Sequence, residues 1–103
     1  AYAFGVQFAG CNDKGKACQG LAFSTASETR TATLAQINGF NQTSINCRVF
    51  QDKGGKPHIS YSTLLSASDT REEMRMHIGA WQGCVGSFGA FLADPPGFLA
   101  EAP

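Results

Sequence analysis

The chain has no excess of charge. Eight basic and eight acidic residues cancel among 103, and charged residues make up only 16%. No basic stripe is present to meet a phosphate backbone, so the reading is no nucleic acid. No apolar run approaches the roughly 20 residues that cross a bilayer, so no membrane insertion is expected. Histidine is scarce, at two residues, and no Cys-x-x-Cys pair stands near one. That spacing excludes a zinc knuckle and leaves no cofactor expected. The first residues, AYAFGVQF, have no basic stretch ahead of an apolar one, so no signal peptide is read there. They already alternate like a strand, which reads as a mature or trimmed chain. A chain of this length holds one core and one domain, residues 1–103.

What is present is an ordered set of alternating and helical patterns. Tyr2, Phe4, Val6 and Phe8 alternate with smaller residues, which predicts a strand with one buried aromatic face. Residues 10–15 form a turn rich in Asn, Asp and Gly. Residues 18–23 return as a second strand, with Leu21 and Phe23 toward the core. Residues 24–30 are polar and read as a loop. Thr33 stands three before Gln36, the spacing of a capping box, and Leu34, Ile37 and Phe40 make one apolar stripe. Gly39 weakens that helix unless another element approaches it closely. Residues 45–52 read as a third strand, residues 52–57 as a hairpin turn, and residues 58–65 as a fourth strand.

After a polar break at residues 66–69, Thr70 and Glu73 form a second capping box. Met74, Ile78, Trp81, Val85, Phe88 and Leu92 then recur at steps of four and three, predicting a helix of about six turns. Gly79, Gly83, Gly86 and Gly89 puncture it, which requires close packing or a bend. Asp94, Pro95, Pro96 and Gly97 stop it, and residues 98–103 are a tail whose Phe98 and Leu99 dock on the domain. The order β-β-α-β-β-α indicates an α+β fold: an antiparallel sheet of about four strands, a medial helix and a long C-terminal helix packed against it.

The four cysteines permit two disulfides. Cys11 and Cys18 flank the first turn, within reach of each other if the strands pair. A Cys11–Cys18 bridge is the leading reading, with free thiols as the alternative. Cys47 and Cys84 read as core residues, with a Cys47–Cys84 bridge as a further pairing. A bridge points to an oxidising compartment.

The segments GVQFAGC, CQGLAFS, TLAQINGFN, INCRVFQDKGGKPHISYS and TREEMRMHIGAWQGCVGSF, taken in order, resemble the bacterial YbjN family of sensory transduction regulators. The matching positions are Gly10 and Cys11, Cys18, Phe40 and Asn41, the turn at residues 52–57, and Trp81, across residues 5–92. The resemblance implies a helix and strand upstream of residue 1. It also implies a fold like class I type III secretion chaperones, which are homodimers that bind extended partner segments. It implies regulation of motility, stress response and surface traits, without established enzymatic activity.

No cluster of titratable residues competes with that reading. Cys47 as a nucleophile would need His58 or His77 as a base, and it lies on an apolar strand face instead. Glu72 and Glu73 are adjacent on a helix, so they cannot flank one bond. Asn38 and Asn41 lie one turn apart and satisfy backbone groups at the helix exit. Trp81, Phe88 and Leu92 belong to the core or an interface. Gly79, Gly83 and Gly86 suit tight packing on a sheet or on a partner helix, the second of which would make a homodimer. The expectation is a non-enzymatic regulatory or binding module, holding a protein or peptide partner, and periplasmic or otherwise extracytoplasmic rather than cytoplasmic. A structural envelope-associated domain that binds no peptide is the alternative, and a small thiol enzyme ranks third.

Overall fold

The computed structural model describes residues 3–15, 17–65 and 71–101. Its elements are β1 (Gly5–Ala9), β2 (Gly20–Ala26), α1 (Leu34–Thr43), β3 (Cys47–Gln51), β4 (Pro57–Leu64), α2 (Arg71–Ala93) and α3 (Pro95–Glu101). The four strands form one antiparallel sheet in the order β1-β2-β4-β3. This is the expected α+β arrangement, with a third helix added. Tyr2, the break at residues 66–69 and the Thr70 cap lie outside the described residues.

Alternation selects the covered face. Leu21, Phe23, Val49, Ile59 and Tyr61 point toward the helices and are buried. Their intervening neighbours on the far face are mostly small or polar: Ala22, Ser24, Arg48, Ser60 and Ser62. Helix α1 packs on β3 and α2 on β4. From α2, Trp81, Cys84, Phe88, Phe91 and Leu92 close the core. Phe91 is fully buried although the read stripe omitted it, and Ile78, which the stripe included, is 43% exposed. The helix therefore presents a face rotated from the one read.

The predicted capping box at the start of α1 is formed. The Gln36 backbone N–H donates to Thr33 Oγ1 at 3.1 Å, and the Thr33 N–H donates to Gln36 Oε1 at 3.0 Å. Leu34, in the first turn, is 70% exposed, so Ile37 and Phe40 carry the packing. The hairpin turn between β3 and β4 needs Gly55 at φ +84°, where a Cβ would be strained. Asp52 Oδ1 accepts from the Gly54 and Lys56 amides and fixes that turn.

Four expectations are corrected. The aromatic face of β1 is not buried: Phe4, Val6 and Phe8 are each about half exposed, at 51%, 48% and 51%. Val6 pairs with Phe23 and Phe8 with Leu21, so these side chains do point to the helix side. The helices lie over the opposite half of the sheet, and β1 is the uncovered edge. Secondly, β2 continues through Ala26 into the segment read as loop, because Thr25 pairs opposite Ile59 and Ala26 opposite His58. Thirdly, β3 starts at Cys47 rather than residue 45, and Ile45 is 93% exposed. Finally, residues 95–101 are helical. Asp94 Oδ1 accepts from the Gly97 amide at 3.2 Å, and Pro95 sits at the first helical position, where its missing N–H costs nothing. The motif read as a stop also starts a helix.

Helix α3 closes the end of the core. Phe98 stacks on Phe40 with centroids 5.8 Å apart and meets Phe91 edge-on at 5.7 Å. Leu99 lies against Gly39, where a Cβ would stand 3.2 Å from Leu99 Cδ1. The glycine in α1 thus has the close neighbour its position called for.

Candidate functional site

The two edges of the sheet are treated in opposite ways. On β3, the Asn41 side-chain amide acts as a strand partner. Its Nδ2 donates to the Val49 carbonyl at 3.0 Å, and its Oδ1 accepts from the Val49 N–H at 2.9 Å. Gln51 Nε2 donates to the Ala32 carbonyl at 2.7 Å, tying the end of the same strand to the segment before α1. The β3 edge is therefore sealed. Of the paired asparagines, Asn41 does this work, while Asn38 is exposed.

On β1, all five residues are exposed and none is charged or proline. Its ladder runs only to β2, and no other described element pairs with its outer side. Edge strands usually carry a charge, a proline or a covering segment to prevent pairing with another chain. Here an open edge and a half-covered Phe4, Val6 and Phe8 stripe coincide. The plain composition of GVQFA was the signal available in the sequence. Its edge position was not, because strand order depends on how the second hairpin docks.

Where β1 begins, β2 runs two residues further than the β1–β2 ladder. This step opens a cleft of about 770 Å³ bounded by Phe4, the segment after β2 and the end of α2. Thr25 Oγ1 donates to the Ala3 carbonyl at 2.6 Å and holds the chain at its mouth. Ser27 Oγ accepts from the Arg30 amide at 3.2 Å, so the segment turns sharply there. The sequence of residues 24–30 marks only a polar loop, and their place in the cleft wall depends on the sheet.

Both cysteine pairs are bridged in the structure, Cys11 to Cys18 and Cys47 to Cys84. The first staples the exposed mouth of the β1–β2 hairpin. The second ties β3 to α2 inside the core. With all four cysteines in bridges there is no free thiol for the nucleophile considered above. Each histidine has a neighbour that explains it. His58 Nε2 lies 2.9 Å from Asp52 Oδ2, and its ring stacks on Phe50 at 4.8 Å. The bond from His58, helped by the Lys56 and Gly54 amides, holds the Asp52 carboxyl below its ordinary 3.8. His77 Nδ1 shares a hydrogen bond with the Tyr61 hydroxyl at 2.9 Å.

Trp81, Phe88 and Leu92 lie in the core. Trp81 stacks on Phe23 at 5.6 Å and meets Phe4 at 5.8 Å, linking the core to the β1 stripe. Among the described residues, a Cβ built at Gly79, Gly83 or Gly86 meets nothing within 4 Å outside the helix's own backbone. They form a smooth strip on the outer face of α2. No helix among the described residues is long and apolar enough to cross a membrane.

A family model matches this chain over residues 1–93, that of YbjN, described as "Putative bacterial sensory transduction regulator". The chain belongs to the YbjN family. The match takes in the whole sheet and both longer helices, with α3 beyond it. The family's description as a regulator agrees with a non-enzymatic regulatory module. Comparisons with curated proteins and with solved structures returned no match. Within this YbjN fold, the open β1 edge and the adjoining cleft are surfaces that the described elements leave uncovered.

Proposed function

We propose that this YbjN-family protein is a regulatory module that holds an extended segment of a partner protein against β1. The observation that carries the reading is the contrast between edges: Asn41 closes β3, while β1 is bare, uncharged and flanked by half-exposed aromatics. A strand added there gains main-chain hydrogen bonds, and alternate apolar side chains fill the space beside Phe4, Val6 and Phe8.

The module acts as a homodimer through the glycine strip of α2. Mid-helix glycines cost stability that no neighbour among the described residues repays, and a second helix could use the room. The two bridges support placement in the periplasm or another extracytoplasmic compartment.

The test uses peptides of alternating apolar pattern, selected by display against the intact protein and then titrated into labelled protein by NMR. Shifts centred on residues 4–9, abolished by Val6→Lys with Phe8→Lys, support the reading. A domain of purely structural role would select no such peptide.

A further inference from the structure

We propose that the cleft at the start of β1 is a binding site for a small amphipathic carboxylate, a molecule with one carboxylate and one apolar arm. This goes beyond the segment-binding reading and does not depend on it. The cleft's size, about 770 Å³, is that of a small-molecule site. Its charge is unbalanced in one direction. Three lining residues can carry charge: Glu28, Arg30 and His58. Glu28 is matched by Lys56 at 3.2 Å, and His58 by Asp52 at 2.9 Å. Arg30, an exposed lining residue, has no ion pair among the described residues, so one positive charge beside the cleft is left for a ligand.

A single guanidinium suits a carboxylate. Its planar fork pairs with two oxygens at once, and its one positive charge balances the one negative charge of a carboxylate. Thr29 adds a hydroxyl beside Arg30. Phe4, Leu92 and Ala93 contribute apolar lining. The carboxylate therefore sits at Arg30 and the apolar arm runs toward α2. Phe4 belongs both to this wall and to the aromatic contact with Trp81, so an occupant reaches the core through one side chain.

The experiment is an NMR titration of the intact, oxidised protein with octanoate, with acetate and octylamine in parallel. The expected result is saturable shifts at residues 25–30 and 89–93 with octanoate, and weaker binding of the other two probes. Arg30→Gln weakens octanoate by about tenfold, the loss expected for a charge-assisted hydrogen bond. Ala93→Trp, at an exposed position, fills the cleft and removes binding while the circular dichroism spectrum is kept. Phe8→Lys, outside the cleft, leaves octanoate binding unchanged. The proposal is overturned by an absence of saturation, by shifts centred elsewhere, by equal binding of octylamine, or by Arg30→Gln binding as tightly as the parent.

Discussion

Asn41 is the side chain on which the closed edge depends. Removing its amide leaves the Val49 N–H and carbonyl without partners in a part-buried place, which costs about 1–3 kcal/mol. Asn41→Ala should lower the denaturant midpoint accordingly, whereas Asn38→Ala, at an exposed position, should change little. The sequence pointed to both asparagines because spacing cannot say which side of the helix meets the strand. At the β3–β4 turn, Asp52 makes a pH-dependent contribution. Its carboxyl titrates below 3.8 in the folded state because the His58 hydrogen bond favours the charged form. The contribution is present above the unfolded value near 3.8 and is lost as pH falls through the folded value. Following the Asp52 carboxyl carbon by NMR should give a midpoint under 3.8, moving up toward it in His58→Phe.

At the scale of elements, α2 and the bridges give two further outcomes. Alanine at Gly79, Gly83 or Gly86 meets no neighbour and should stabilise the helix by roughly 0.5–1 kcal/mol each. Gly39→Ala should gain less, because Leu99 must give way. If the glycine strip is the dimer face, Gly83→Leu should convert dimer to monomer in light scattering without unfolding the chain. The Cys47–Cys84 bridge closes a span of 37 residues and the Cys11–Cys18 bridge one of 7. Chain entropy assigns roughly 4 kcal/mol to the first and roughly 2.5 to the second. Replacing the core pair by alanines should therefore lower the melting temperature more than replacing the hairpin pair. Element types were legible wherever pattern and caps agreed, as at Thr33–Gln36 and in the alternation of Leu21 and Phe23. They failed at residues 95–101, where Asp-Pro-Pro serves equally as a helix stop and a helix start. They also failed at Gly79, Gly83 and Gly86 of α2, whose spacing implied a neighbour that the described residues do not supply.

At the scale of the whole molecule, the decisive fact is strand order. Alternation marked the apolar faces of β1 correctly, but burial follows from which strands the helices cover. The order β1-β2-β4-β3 puts β1 farthest from α1 and α2. That places an uncharged strand, with no described partner on its outer side, at the free edge and opens the cleft beside it, neither of which a local pattern can express. The central claim is that the outer side of β1 is the partner-binding edge of this regulator. Its most direct test is the NMR shift map of the labelled protein on adding a display-selected peptide of alternating apolar pattern. The account predicts shifts concentrated at Phe4, Val6, Phe8 and their β2 neighbours, and their loss in the Val6→Lys and Phe8→Lys double variant. Shifts centred on β3 or on the glycine strip of α2, undiminished by those lysines, would contradict it.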